Sequence, residues 1–146
     1  MKLKVGLLGG GSWGTTVASL TAKNSETIIW ARNPETVKEI NEFHTNEKYL
    51  PEAKLTSSLK ASTSIKETVE EADVIVMGVP AQSFRKVLEE AKPYIRPWVP
   101  IINLAKGLEI TTKMRMTEIV EEIMPGHPAG VLTGPNLAKE IHFGNA

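Results

Sequence analysis

The sequence contains no cysteine, few aromatic residues and no long apolar run. The absence of cysteine excludes disulfide bonds, thiolate metal ligands and thiol nucleophiles, and it is consistent with a reducing cytosol. No stretch approaches the roughly 20 apolar residues that span a bilayer. The apolar run near the N-terminus is also too short for a signal peptide. These absences predict a cytoplasmic protein without membrane insertion.

The chain has no excess of charge of either sign, because 17 Lys and Arg residues balance 17 Asp and Glu residues. A balanced charge gives no support for nucleic acid as the main partner. The three histidines, His44, His127 and His142, lack the spacing of metal ligands, so no metal site is predicted. The length of 146 residues and the hydrophobic fraction of 41 % suit one domain with an ordinary core.

Short apolar runs alternate with helical patterns along the whole chain. This alternation predicts a doubly wound α/β fold, a mostly parallel sheet with helices on both faces. The polar stretch 43–58 is a long connection, and long connections inside compact domains are often functional. Ser64 and Glu67 have the S-x-x-E form of a capping box. The predicted strands are 4–8, 27–31, 59–63, 73–79, 100–104 and 130–133, and the predicted helices are 12–23, 34–41, 64–71, 82–91, 112–124 and 135–142.

A glycine-rich turn follows the first predicted strand and opens the first predicted helix. Gly9, Gly11 and Gly14 satisfy G-x-G-x-x-G, a motif that is weak alone and strong between a strand and a helix. The spacing predicts that Gly9 permits the tight turn, that Gly11 lets a pyrophosphate approach the backbone, and that Gly14 brings the helix close to the strand. Free N–H groups at the helix N-terminus would face the anion. A purely structural or flexible turn is the alternative.

The end of the second predicted strand bears on the choice of dinucleotide. An acidic residue there would hold the 2′-hydroxyl of NAD, but the sequence has Trp30, Ala31, Arg32 and Asn33. Arg32 lies close to the spacing of about 20 residues that the motif expects. Its guanidinium suits a 2′-phosphate by charge and by fork geometry. This favours NADP(H) without excluding NAD(H), and the alternative is a solvated surface arginine.

Three further segments follow predicted strands, at the sheet edge where ligands bind in such folds. They read V-P-A-Q-S-F-R (79–85), A-K-G-L-E (105–109) and G-P-N-L-A-K-E-I (134–141). Taken with the glycine turn, W-A-R-N (30–33) and N-x-x-Y-L-P (46–51), they make the chain resemble bacterial NAD(P)-dependent glycerol-3-phosphate dehydrogenase. The resemblance covers nearly the whole chain, and the last two segments are its most specific pieces.

The resemblance implies a Rossmann-type cofactor-binding domain over residues 1–146. The whole enzyme would interconvert sn-glycerol 3-phosphate and dihydroxyacetone phosphate by hydride transfer with NAD(P)(H), and so feed glycerophospholipid synthesis. A helical C-terminal substrate domain, with the lysine usually assigned as general acid/base, would lie outside these residues. The 146 residues alone are therefore expected to bind cofactor weakly at best and to be inactive, and the full-length protein is expected to be a homodimer.

The resemblance also carries roles onto individual residues. Lys106 would lie between cofactor and substrate, where an ammonium stabilises the negative charge that hydride addition builds on a carbonyl oxygen. A plain surface lysine is the alternative. The expected substrate contacts are Lys106, Gly134 and Asn136, and the expected cofactor contacts are Gly9, Gly11, Ser12, Trp13, Gly14, Arg32, Asn33, Tyr49, Pro80, Lys106 and Ala138.

Two other functions stay open at this point. Another two-domain dehydrogenase, of the 6-phosphogluconate or ketopantoate type, would use the same nucleotide fold, although A-K-G-L-E and G-P-N-L-A-K-E argue against it. A stand-alone NAD(P)-sensing module would need only the cofactor cradle. Such a module would have no use for Lys106 and Asn136 close to the place where the nicotinamide ends.

Overall fold

The computed structural model describes residues 2–133 and 138–144. In this part of the chain, six parallel strands form one sheet in the order β3-β2-β1-β4-β5-β6, which is the doubly wound order and confirms the predicted fold class. The strands are β1 (Lys4–Leu8), β2 (Glu26–Trp30), β3 (Lys60–Ser62), β4 (Val74–Met77), β5 (Ile101–Asn103) and β6 (Ala129–Val131).

Helices connect successive strands and cover the sheet. They are α1 (Ser12–Thr21), α2 (Pro34–Phe43), α3 (Ile65–Val69), α4 (Ala81–Ala91), α5 (Met116–Ile123) and α6 (Ala138–His142), with a short 3-10 turn at Lys92–Tyr94. The predicted helix 135–142 is observed over its last five residues, and its residues 135–137 lie outside the described part of the chain.

The core has two layers because alternate strand residues point to opposite faces of the sheet. In β4, Ile75 and Met77 pack with α4 and α5, whereas Val76 packs with residues of α1 and α2. Each layer contains fully buried side chains, such as Phe84 on one face of the sheet and Ile40 on the other. The strands are therefore apolar on both sides, which is why continuous apolar runs identified them in the sequence.

One predicted helix begins later than expected. The pattern predicts a helix from residue 112, but α5 begins at Met116, so the first four residues of the prediction are wrong. The preceding segment is a separate turn in which the Lys113 N–H donates to the Glu109 carbonyl and the Glu109 N–H donates to the Met114 carbonyl. Lys113 has a positive φ of 62°, which an α-helix cannot contain.

The connection between α2 and β3 is irregular, as predicted, and it is packed against the fold along its length. Leu50 and Leu55 are buried in the layer of α1 and α2. The Thr56 hydroxyl donates to the Ser19 carbonyl of α1 at 2.7 Å, and the Ser58 hydroxyl donates to the Ala22 carbonyl at 2.9 Å. These contacts hold the second half of the connection against the C-terminal end of α1.

Candidate functional site

A cavity of about 600 Å³ lies at the carboxyl ends of β1, β2, β4 and β5. This volume is in the range of small-molecule sites in proteins. The position is also the one expected for a ligand of a doubly wound sheet, at the point where the strand order reverses. Its lining includes the expected contacts Gly9, Gly11, Ser12, Trp13, Gly14, Arg32, Asn33, Tyr49 and Pro80.

The glycines of the turn between β1 and α1 have different structural roles. Gly9 has a φ of +126°, and a Cβ built there would lie 2.5 Å from the Gly78 carbonyl oxygen. A Cβ on Gly14 would collide with the Gly9 carbonyl oxygen and lie 3.3 Å from Leu7. A Cβ on Gly11 would meet no atom within 4 Å. The fold therefore requires glycine at positions 9 and 14, while Gly11 leaves backbone open to the cavity.

The N-terminus of α1 is arranged to receive an anion. Gly11 is the N-cap residue and has no side chain to bond the first N–H groups of the helix. The first turn of α1 carries no acidic residue that would offset the partial positive charge of the helix N-terminus. A diphosphate placed in the cavity would therefore meet free backbone donors and a favourable dipole.

Arg32 and Asn33 lie at the carboxyl end of β2, on the wall of the cavity. The Arg32 side chain is exposed, and no carboxylate in residues 2–133 or 138–144 forms an ion pair with it. The Asn33 carboxamide oxygen accepts the Glu35 N–H at 2.8 Å and so caps α2. The guanidinium is thus available to a ligand, while the Asn33 side chain has a structural role already.

The segment 46–51 forms another wall. The Ser12 hydroxyl donates to the Tyr49 carbonyl at 2.5 Å, which ties this segment to the first turn of α1. The Lys48 ammonium lies 5.2 Å from the centre of the Tyr49 ring, and both residues line the cavity. Sequence reasoning missed Lys48 as a second cation at the cavity. Its place inside N-x-x-Y-L-P was the only available signal.

Lys106 lies in the loop after β5, directly beyond Leu104 and Ala105, which line the cavity. The lysine is exposed, and the loop is held on both sides of it. On one side, the Asn103 side chain accepts the Ala105 N–H at 2.7 Å and donates to the Ala105 carbonyl at 3.0 Å. The backbone around Lys106 is therefore constrained although its side chain is not.

On the far side of Lys106, two residues of α4 hold the same loop. The Gln82 side chain donates to the Leu108 carbonyl at 2.9 Å and accepts the Ile110 N–H at 3.0 Å. Arg85 forms an ion pair with the buried carboxylate of Glu109. The bonds from Arg85, followed by that from Thr112, hold the pKa of Glu109 below its usual value, so the pair is ionised at neutral pH.

Besides Lys106, three of the expected contacts lie apart from the cavity wall or outside the described residues. Ala138 is at the start of α6, where its carbonyl accepts the Thr16 hydroxyl of α1 at 3.3 Å. The expected substrate contacts Gly134 and Asn136 lie outside the described part of the chain. The ligand contacts assigned to these residues, to Lys106 and to the lining residues stay predictions.

Two further features are absent from the described ranges. Residues 2–133 and 138–144 contain no group of three or more His, Asp or Glu side chains that could hold a metal ion. No helix in those ranges has the length and apolar character needed to cross a membrane.

Comparison with known proteins gives a family match over almost the whole chain. Residues 4–146 match the family described as NAD-dependent glycerol-3-phosphate dehydrogenase N-terminus. Among solved structures, the chain is similar to the crystal structure of glycerol-3-phosphate dehydrogenase from Coxiella burnetii, with a TM-score of 0.88 and 31 % sequence identity. That similarity covers 97 % of this chain and 44 % of the other.

Curated relatives carry the same enzyme name. The chain is 59 % identical over 146 residues to glycerol-3-phosphate dehydrogenase [NAD(P)+] 2 of Sphingopyxis alaskensis. It is 54 % identical over 144 residues to glycerol-3-phosphate dehydrogenase [NAD(P)+] of Mycobacterium avium. All of this chain matches the first protein and 98 % of it matches the second. It spans only 44 % and 42 % of their respective lengths.

Proposed function

We propose that this chain, which belongs to the family of NAD-dependent glycerol-3-phosphate dehydrogenase N-termini, is the dinucleotide-binding part of such an enzyme. The whole protein would interconvert sn-glycerol 3-phosphate and dihydroxyacetone phosphate with NAD(P)(H). One observation carries the proposal. The cavity at the carboxyl ends of the strands is lined by Gly11, whose open backbone lies at the N-terminus of α1. The identity to relatives of this name argues against a 6-phosphogluconate or ketopantoate enzyme.

The residues at the cavity fit a dinucleotide. The first N–H groups of α1 would bind the diphosphate, and Gly11 would let it approach. Arg32 would bind at the adenosine end, where its charge and fork geometry favour the 2′-phosphate of NADP(H) over the hydroxyl of NAD(H). When bound, the dinucleotide supplies or accepts the hydride. Trp13, Tyr49 and Pro80 would enclose it.

The reacting carbon would lie near the loop after β5. Lys106 would place its ammonium beside the carbonyl oxygen of the substrate, where it would stabilise the negative charge that develops during hydride addition. Gly134 and Asn136 would contact the substrate, and Ala138 the cofactor. Turnover would require further residues, since the chain spans less than half the length of its relatives. The homodimer and the cytoplasmic location belong to the same proposal, and sedimentation of the whole protein tests the dimer.

Titration with NADPH and NADH tests the proposal, with tryptophan fluorescence as the signal because Trp13 and Trp30 line the cavity. We expect binding of at least one dinucleotide. Arg32→Gln should weaken NADPH binding by about tenfold or more, the factor expected for one hydrogen bond to a charged group, and leave NADH binding nearly unchanged. Lys38→Gln is a matched control, since this exposed cation lies in α2.

Three results would contradict parts of the proposal. Absence of any dinucleotide binding would overturn the cofactor site. Unchanged NADPH binding in Arg32→Gln would remove the preference for NADP(H). Oxidation of NADPH that depends on dihydroxyacetone phosphate, catalysed by these 146 residues alone, would show that no further residues are needed.

A further inference from the structure

Asn46 links the connection between α2 and β3 to the glycine turn through buried hydrogen bonds. Its side chain is completely buried, and its amide nitrogen donates to the Gly10 carbonyl at 3.0 Å and to the Thr15 hydroxyl at 2.9 Å. The backbone of Asn46 is held in turn, because its carbonyl accepts the N–H of Leu50 at 2.8 Å. Leu50 is buried in the core. The amide is therefore anchored to the fold and not to the turn alone.

The bond from Asn46 determines which way one peptide of the turn faces. A trans peptide is planar, so its C=O and N–H groups point in opposite directions. When the Gly10 carbonyl is held toward the buried Asn46, the Gly11 N–H must point the other way. That other side is the cavity, which Gly10 and Gly11 both line. No acceptor in the described part of the chain takes the Gly11 N–H.

The remaining polar atom of Asn46 shows that the side chain is needed for its donors. Its carboxamide oxygen is buried without a hydrogen-bond partner among the described residues. An unpaired buried acceptor costs free energy, which an apolar side chain of similar shape would avoid. The amide cannot rotate to relieve this cost, because its oxygen would then face the Gly10 carbonyl, which is also an acceptor.

We infer that Asn46 is a positioning residue for diphosphate binding. By holding the Gly10 carbonyl from behind, it directs the Gly11 N–H into the cavity as a donor to the diphosphate of a dinucleotide. The inference rests on the proposed function, because it assumes that the cavity binds a dinucleotide. It adds a specific consequence: a ligand that lacks the diphosphate does not depend on Asn46.

Two variants of Asn46 separate the orientation of the turn from the effects of charge. Asn46→Asp keeps the size of the side chain but removes the donors and adds a negative charge. Asn46→Leu removes the donors without adding charge. Asn41→Asp is the matched control, since the Asn41 side chain also donates to a backbone carbonyl, that of Ala61, at 3.0 Å, away from the glycine turn. The probes are NADPH and adenosine 2′-phosphate, which has the adenosine end but no diphosphate.

Both Asn46 variants should weaken NADPH binding by about tenfold or more, as expected for a lost bond to a charged group, and change adenosine 2′-phosphate binding less than about twofold. The control should change neither. Parallel weakening of both probes, unchanged NADPH binding, or a loss confined to Asn46→Asp would each overturn the inference. If the wild-type protein binds no dinucleotide, the proposed function fails first and the inference fails with it.

A measurement on the wild-type protein covers the case in which the variants do not fold. Titration with inorganic pyrophosphate, followed through backbone amide NMR signals, should shift the Gly11 resonance among the most strongly affected. If pyrophosphate shifts other signals at the cavity and leaves Gly11 unchanged, the peptide does not serve as the donor and the inference is overturned.

Discussion

The guanidinium of Arg85 binds the carboxylate of Glu109 through two nitrogens, with Nε 3.0 Å from Oε2 and Nη2 3.1 Å from Oε1. The pair joins α4 to the loop after β5, which carries Lys106. Glu109 also accepts the Thr112 hydroxyl, and Arg85 also pairs with Glu122. The loop is thus held to α4 and α5 by a small network of charges.

Loss of the Glu109 charge should destabilise the protein in a pH-dependent way. The pKa of Glu109 is lower in the folded protein than in the unfolded chain, chiefly because Arg85 bonds its ionised form. The stabilisation is therefore complete above the unfolded value of about 4.3, and it is lost as the pH falls through the lowered folded value. Urea unfolding of Glu109→Gln should show reduced stability at about pH 7, and the difference from wild type should shrink below about pH 4.

The control for this prediction is Glu89→Gln, which changes an exposed residue of α4, the helix that carries Arg85. Its stability should follow that of the wild type at every pH. A constant difference between Glu109→Gln and wild type over the whole pH range would show that packing, and not ionisation, accounts for the effect.

Substitution by alanine should affect stability at Gly14 and dinucleotide binding at Gly11. Gly14→Ala forces a Cβ against the Gly9 carbonyl and should lower the free energy of unfolding by about 1–3 kcal/mol, the usual cost of overpacking. Gly11→Ala meets no atom and should change stability by less than about 0.5 kcal/mol. Thermal unfolding without ligand measures the stability of both variants, and dinucleotide titration measures their affinity for NADPH. Full NADPH affinity in Gly11→Ala would contradict the close approach of the diphosphate.

Asn33 should affect stability through its cap on α2. Asn33→Ala removes the acceptor for the Glu35 N–H and should lower the free energy of unfolding by about 1 kcal/mol. Asn33→Asp keeps this acceptor, so its stability should match that of the wild type. The added negative charge lies next to Arg32 and should reduce NADPH binding more than NADH binding. Equal stability of Asn33→Ala and wild type in urea would show that the cap contributes nothing.

Gln82 should control the local stability of the loop after β5. Gln82→Ala removes the acceptor for the Ile110 N–H, so hydrogen exchange at that amide should accelerate by about fivefold or more, the factor for a bond of about 1 kcal/mol. Gln82→Glu is the matched control, because it keeps this acceptor and loses only the donor to the Leu108 carbonyl. Unchanged exchange at Ile110 in Gln82→Ala would mean that other contacts hold the loop.

The strands could be predicted from the sequence because each is a short apolar run buried on both faces. The predicted bounds of β1 agree with the structure, and those of β4 begin one residue too early and end two residues too late. The predicted starts of α1 and α2 also agree with the structure, whereas α5 begins four residues later than predicted. Ser64 caps α3 by accepting the Glu67 N–H, but the Glu67 carboxylate accepts the Ser62 hydroxyl and so does not complete the predicted capping box.

The part of the candidate site that depends on residue spacing along the chain could be predicted from the sequence. The part that depends on tertiary contacts could not. The spacing of Gly9, Gly11 and Gly14 identified the turn, since steric limits act on the local chain. The roles of Asn46 and Lys48 could not be found in this way. Both residues come from a polar connection whose position beside α1 depends on contacts across 30 or more residues of sequence, such as that between Asn46 and Thr15.

The sequence by itself determined the class of fold, the glycine turn and the presence of a cation after β2, because these depend on local periodicity and on residues next to each other in the chain. Only the tertiary structure decided which segments enclose the cavity and which side chains hold them. Asn46 donates to the Gly10 carbonyl, and Gln82 and Arg85 hold the loop that carries Lys106. These contacts form because packing of the sheet and its helices brings distant segments into hydrogen-bond range. Short-range pattern carries no information about such contacts.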